Sequence, residues 1–113
     1  MKIVHQMGLY HHSFPKIKDG TKVVEIRLND EKRQLLKIGD EIEFSSKNNR
    51  EEKLKVEVVE LHVFSSFKEL CESFPPVEYG SVSSEEYKDM YKYYSVDDEN
   101  KYGVLAIRIR YIK

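Results

Sequence analysis

The stretch Gly20-Thr21-Lys22-Val23-Val24-Glu25-Ile26-Arg27-Leu28-Asn29-Asp30 decides how the chain is read. Its period is two: Val24, Ile26 and Leu28 fall on one face of an extended strand, and Val23, Glu25 and Arg27 on the other, because successive strand side chains point to opposite faces. Glu25 and Arg27 are therefore same-face neighbours. Lys22 joins them shortly after Gly20, a residue whose backbone can take angles closed to others. A lysine, a carboxylate and a guanidinium beside an apolar wall mark a candidate site. The same residue types also make ordinary ion pairs on a solvated strand face, each worth little.

Upstream, Lys2–Met7 reads as a first strand, and 11–20 as a short helix with Ser13 as N-cap, Pro15 in the first turn and Gly20 as its stop. Downstream, Gly39-Asp40 makes a turn before Glu41-Ile42-Glu43-Phe44, whose alternation points Ile42 and Phe44 inward. Polar residues 45–52 form the tip before a long strand over 53–63. That strand carries Leu54, Val56 and Val58 on one face, then Val59, Leu61 and Val63 on the other. Apolar residues on both faces predict that it crosses the centre of a sheet or closes a barrel.

Ser66 caps an amphipathic helix in which Phe67, Leu70, Cys71 and Phe74 share one stripe, ended by Pro75-Pro76. Residues 77–82 read as a loop. Ser83 and Glu86 form a capping box that opens a second helix burying Tyr87, Met90, Tyr91 and Tyr94, and Ser95 caps one further turn. A closing strand over 104–112 alternates Leu105, Ile107, Ile109 and Tyr111 with Ala106 and the basic Arg108 and Arg110. No strand–helix crossover repeats, which argues against a doubly wound sheet. The expected architecture is α+β: a small mixed β-barrel of five to six strands with helices packed at its openings, one domain over 1–113.

With 19 Lys+Arg against 20 Asp+Glu, a net charge of −1 does not suit a protein that coats duplex DNA by charge alone. It leaves room for a local basic groove. Cys71 is the sole cysteine, so no disulfide forms within the chain and no multi-cysteine zinc site exists. The leading segment 1–7 lacks the apolar run of a signal peptide, and no run approaches membrane-spanning length, so a cytoplasmic protein without a membrane partner is expected. His5, His11, His12 and His62 have no metal-ligand spacing, no His-Cys-Cys set of a zinc deaminase is present, and G-x-S-x-G and glycine-rich phosphate loops are absent. No metal and no cofactor are expected.

Taken in order, four features resemble the ASCH domain of the PUA-like superfamily over nearly the whole chain. They are Phe14 and Ile17 ahead of Gly20-x-Lys22-x-x-Glu25-x-Arg27, then Ile38-Gly39-Asp40-x-Ile42-x-Phe44, Ser66-Phe67-x-x-Leu70, and Tyr102-Gly103-Val104-Leu105-Ala106-Ile107. The resemblance implies a cleft beside the Gly20–Asn29 strand that takes RNA or a modified nucleoside. One bacterial branch looks similar and hydrolyses acetylcytidine with a lysine, a threonine and a glutamate. The lysine falls on Lys22 and the threonine position on Glu25, while the third residue has no aligned place. This chain departs from that branch at the nucleophile.

Three functional expectations follow. In a binding module, Lys22 and Arg27 hold phosphate or a carbonyl edge, Glu25 accepts from a base amine, and Asn29 reads a base or caps the Asp30 turn. Tyr94, or Tyr93 off the helical stripe, stacks above, with Arg108, Arg110 and Lys92 as the basic groove. In the alternative, a small amidohydrolase acting on a modified nucleoside, Lys22 is base or electrophile and Glu25 activates water. An adaptor with an incidental charged cleft is a third class, betrayed by an exposed apolar patch.

Overall fold

The computed structural model describes residues 2–113; Met1, the first residue of the leading segment read above, lies outside them. Five strands form one mixed sheet curled into a half-barrel: β1 (Val4–Leu9), β2 (Val24–Leu28), β3 (Glu41–Ser46), β4 (Lys53–Phe64) and β5 (Val104–Tyr111). The sheet order is β1-β3-β4-β5-β2, with β1 parallel to β3 and the other pairs antiparallel. Around it pack α1 (Phe14–Lys18), α2 (Phe67–Ser73) and α3 (Val96–Tyr102), with 3-10 turns between. The first strand starts later than its sequence pattern suggests, at Val4, and runs on to Leu9. No helix of the described residues is long and apolar enough to cross a membrane.

β5 divides two cores. Leu105, Ile107 and Ile109 face the hollow of the half-barrel with Met7, Phe14, Ile42 and Phe44. Val104 and Ala106 face the other way, beneath Phe67, Leu70 and Cys71 of α2. The change of face along β4 is a bulge: pairing with β5 runs in register through Val58–Ile109 and resumes at Glu60–Arg108, leaving Val59 extra. Leu54, Val56 and Val58 point inward before it, and Leu61 packs on the same core after it. Gly103 is required where β5 begins, because its φ is +73° and a Cβ there would lie 2.9 Å from the Phe64 carbonyl.

α2 is capped as its sequence predicts, Ser66 Oγ accepting from the Glu69 amide at 3.1 Å. Glu99, buried on α3, accepts from the Phe67 amide at 2.8 Å and from the Tyr91 hydroxyl at 2.9 Å, and so ties three elements together. Two sequence expectations change here. Residues 77–82 are not plain loop, since Pro76–Tyr79 makes a 3-10 turn. The tyrosine segment is a 3-10 helix, Ser84–Lys92, with no fully buried side chain. Ser83 accordingly caps Glu85 rather than Glu86, at 3.1 Å.

Candidate functional site

β1 and β2 are the two edges of the curled sheet, and the candidate site fills the gap between them. β2 pairs with β5 so that Glu25 lies opposite Ile107 and Arg27 opposite Leu105. Directly paired residues share a face. The carboxylate and guanidinium therefore project toward the inner core, while Val24 and Leu28 pack under α2. Arg27 sits over the Phe44 ring, 5.9 Å from its centroid, and its Nη2 donates to the Gly8 carbonyl on β1 at 2.7 Å. One side chain thus fastens edge to edge.

Glu25 is the centre of the row. Its Oε1 lies 2.8 Å from Lys22 Nζ, and its Oε2 accepts from Arg27 Nε at 2.8 Å and lies 2.7 Å from Nη2. Lys22, Glu25 and Arg27 are 8%, 5% and 8% exposed. The solvated-face reading of these charges is therefore overturned: the Gly8 carbonyl of β1 and the Phe44 ring lie against Arg27, and the Ser13 hydroxyl against Lys22. Burial by itself drives the Glu25 carboxyl upward, and the adjacent Lys22 and Arg27 more than reverse this, lowering it to about 2. Burial likewise works against the Arg27 cation, and Glu25 more than compensates, raising its pKa. With two cations around one carboxylate, the row carries a net charge of +1.

Above the row opens a cavity of about 790 Å³, walled by Gly8 and Leu9 of β1 and the following Tyr10, by Tyr79 and Gly80, and by the Ser84–Lys92 helix. Lys22, Glu25, Arg27 and Tyr94 all line it. Asn29 does not: β2 ends at Leu28, and Asn29 is held by its backbone, its amide to the Gly103 carbonyl and its own carbonyl to Gln34 Nε2. Its expected place beside Arg27 is corrected accordingly. Tyr94 stacks on Phe67 at 5.4 Å and serves the packing as well as the wall. Tyr93, 59% exposed, leans on Tyr10 with ring centroids 6.0 Å apart, and Tyr10 also stacks on His12. These rings form an aromatic rim.

Arg108 and Arg110 are corrected too. Neither lines the cavity, and both are matched by carboxylates: Arg108 by Glu60 and Glu78 at 3.1 Å each, Arg110 by Glu57. Lys92 alone of that trio reaches the cavity. Sequence reasoning missed Ser13 as a site residue. Its backbone is helical (φ −81°, ψ −21°) and it makes no cap; instead its hydroxyl accepts from Lys22 Nζ at 3.3 Å. It also missed Tyr10, whose ring carries Lys47 Nζ 4.6 Å from its centroid. Nothing in the sequence reading singled out Tyr10, which directly follows β1. Among the described residues no group of three or more His, Cys, Asp and Glu side chains is placed to hold a metal ion.

Comparison with known proteins places this arrangement. The model of the ASCH domain matches residues 7–113. The crystal structure of hypothetical protein PH0355 is similar at 40% identity and a TM-score of 0.85, covering 97% of this chain and 100% of that one. The solution structure of protein PF0455 from Pyrococcus furiosus is similar at 36% identity and a TM-score of 0.73, covering 98% and 99%. An ASCH protein from Zymomonas mobilis shares the fold at 14% identity, with a TM-score of 0.70 over 96% of this chain and 68% of that one. Among curated proteins there is no match. The chain belongs to the ASCH domain family.

Proposed function

We propose that this chain binds RNA or a nucleotide in the cavity above Lys22, Glu25 and Arg27. One observation carries the reading: a buried charged row of net +1 opens into a cavity of about 790 Å³ rimmed by exposed aromatic rings. That volume lies within the ~300–1,000 Å³ of ordinary ligand pockets. Glu25 and Ser13 engage two of the three Lys22 donors, and Arg27 Nη1 makes no bond among the described residues, so donors remain for phosphate or a carbonyl edge. Glu25 is preorganised as an acceptor for an exocyclic amine. Tyr93, mostly exposed, offers a face on which a base stacks.

The test is a titration of the four nucleoside monophosphates into the wild-type chain and Lys22→Ala, with thermal melts as the control for folding. Saturable binding that weakens by ~10- to 100-fold in the variant supports the site, the scale of one charge-assisted hydrogen bond. No binding, or equal affinity in a folded variant, refutes it.

Ser13 favours a second reading, hydrolysis of a modified nucleoside such as acetylcytidine. Glu25, lowered to about 2 with both oxygens in ion pairs, is a weak general base at neutral pH. The Ser13 hydroxyl lines the cavity 3.3 Å from Lys22 Nζ, and in this reading it attacks the acetyl carbonyl with the Lys22 amine, in its neutral form, taking its proton. Acetate release abolished in both Ser13→Ala and Lys22→Ala would establish this reading. Absence of turnover leaves the binding module.

A further inference from the structure

A second cavity, of about 600 Å³, adjoins the first and shares Gly8 and Lys47 with it. Its charged lining is Lys32, Lys47, Arg50 and Lys53, with no carboxylate among the residues that wall it. In a chain of net charge −1 this local excess does not come from composition. The charges are also available. Among the described residues Lys32, Lys47 and Arg50 make no salt bridge, and Lys53 has only a loose contact with Glu43 at 3.9 Å. The outer arginines of β5, by contrast, are matched by glutamates.

The partition between the cavities is built to be low. Gly8 has no side chain, and a Cβ there would come within 3.0 Å of Lys47 Cε, so the lysine lies across the glycine. The Gly8 carbonyl accepts from Arg27 on the first cavity's side. Lys47 Nζ rests over the Tyr10 ring, so the aromatic rim passes directly into the basic groove. Aromatic faces beside a run of uncommitted cations are the two features that hold a single strand, by stacking and by phosphate neutralisation.

We infer that the ligand is a strand and not a free nucleoside: one nucleotide occupies the first cavity, and the phosphates of adjoining nucleotides cross Gly8 into the groove of Lys32, Lys47, Arg50 and Lys53. The inference rests on the binding function proposed above. It assigns Lys32, Arg50 and Lys53 a role without contact to the buried row.

The experiment compares cytidine monophosphate with an RNA tetracytidylate, at 50 and 200 mM salt, on the wild-type chain and on Lys32→Ala/Arg50→Ala. The tetranucleotide is expected to bind the wild type more tightly. With two groove phosphates neutralised it loses about sevenfold in affinity across that salt range, from a slope of roughly −0.7 per phosphate. The double variant flattens that slope and weakens the tetranucleotide about five- to tenfold, while its affinity for the monophosphate is unchanged. If both ligands bind equally well, or the double variant binds the tetranucleotide like the wild type, the groove is overturned and the nucleotide site stands. If neither ligand binds, both readings fall.

Discussion

Arg27 and Arg108 are both strand arginines with glutamate partners, and the chain uses them in opposite ways. Arg108 spans from β5 to Glu60 and Glu78, with its side chain 30% exposed. Arg27 shares one carboxylate with Lys22, lies inside the gap of the half-barrel and reaches the opposite sheet edge. Exposed pairs gain little because water already solvates both charges. Buried charges cost much to desolvate and persist where geometry and further hydrogen bonds compensate. Burial, not residue type, separates the candidate site from ordinary surface pairing.

The largest effect should come from breaking the buried row at its centre. Glu25→Ala leaves Lys22 and Arg27 buried without their counter-charge and is expected to cost about 3–5 kcal/mol, read by urea unfolding. A variant as stable as the wild type would mean that the cations relax into water freely.

Acid should dissolve the same contribution. The Glu25 carboxyl is lowered in the fold from 4.5 to about 2. A group depressed by folding contributes fully above its unfolded value and loses that contribution as pH falls through the folded one. Between pH 4.5 and 2 the loss amounts to roughly 3 kcal/mol. In Glu25→Gln this part of the acid limb should disappear, which urea unfolding at a series of pH values will show.

Tyr93→Ala sharpens the comparison from the ligand side. Nucleotide affinity should fall by about 1–3 kcal/mol, the worth of one base stacked on a ring, with little change in melting temperature because the side chain is mostly exposed. The smallest effect is expected from Arg110→Ala on the outer face of β5, where neither the urea midpoint nor nucleotide affinity should move. A clear loss of affinity there would shift the binding face away from the cavity.

Much of this was legible in the sequence. The period of two in Val24–Leu28 put Glu25 and Arg27 on one face, and the change of face from Val58 to Val59 marked the β4 bulge, though it read as a strand buried on both sides. Burial of the charged row was not legible, because it depends on the Gly8 carbonyl of β1 and the Phe44 ring of β3, which are distant in sequence. Tyr93 was read as lying off the helical stripe, and it is exposed just past the end of the 3-10 helix. Ser13 looked like a cap because serine before a helix usually is one, and only the backbone angles show that its hydroxyl is free for Lys22. Arg108 and Arg110 looked like a basic face because their glutamate partners come from elsewhere in the chain.

The most direct measurement is an amide chemical-shift titration of the chain with cytidine monophosphate. The account predicts saturable shifts at Gly8, Tyr10, Lys22, Ile26 and Tyr93, which surround the cavity, and none at Arg108 or Arg110. Shifts concentrated on the outer face of β5, or no saturable shift at the buried row, would contradict it.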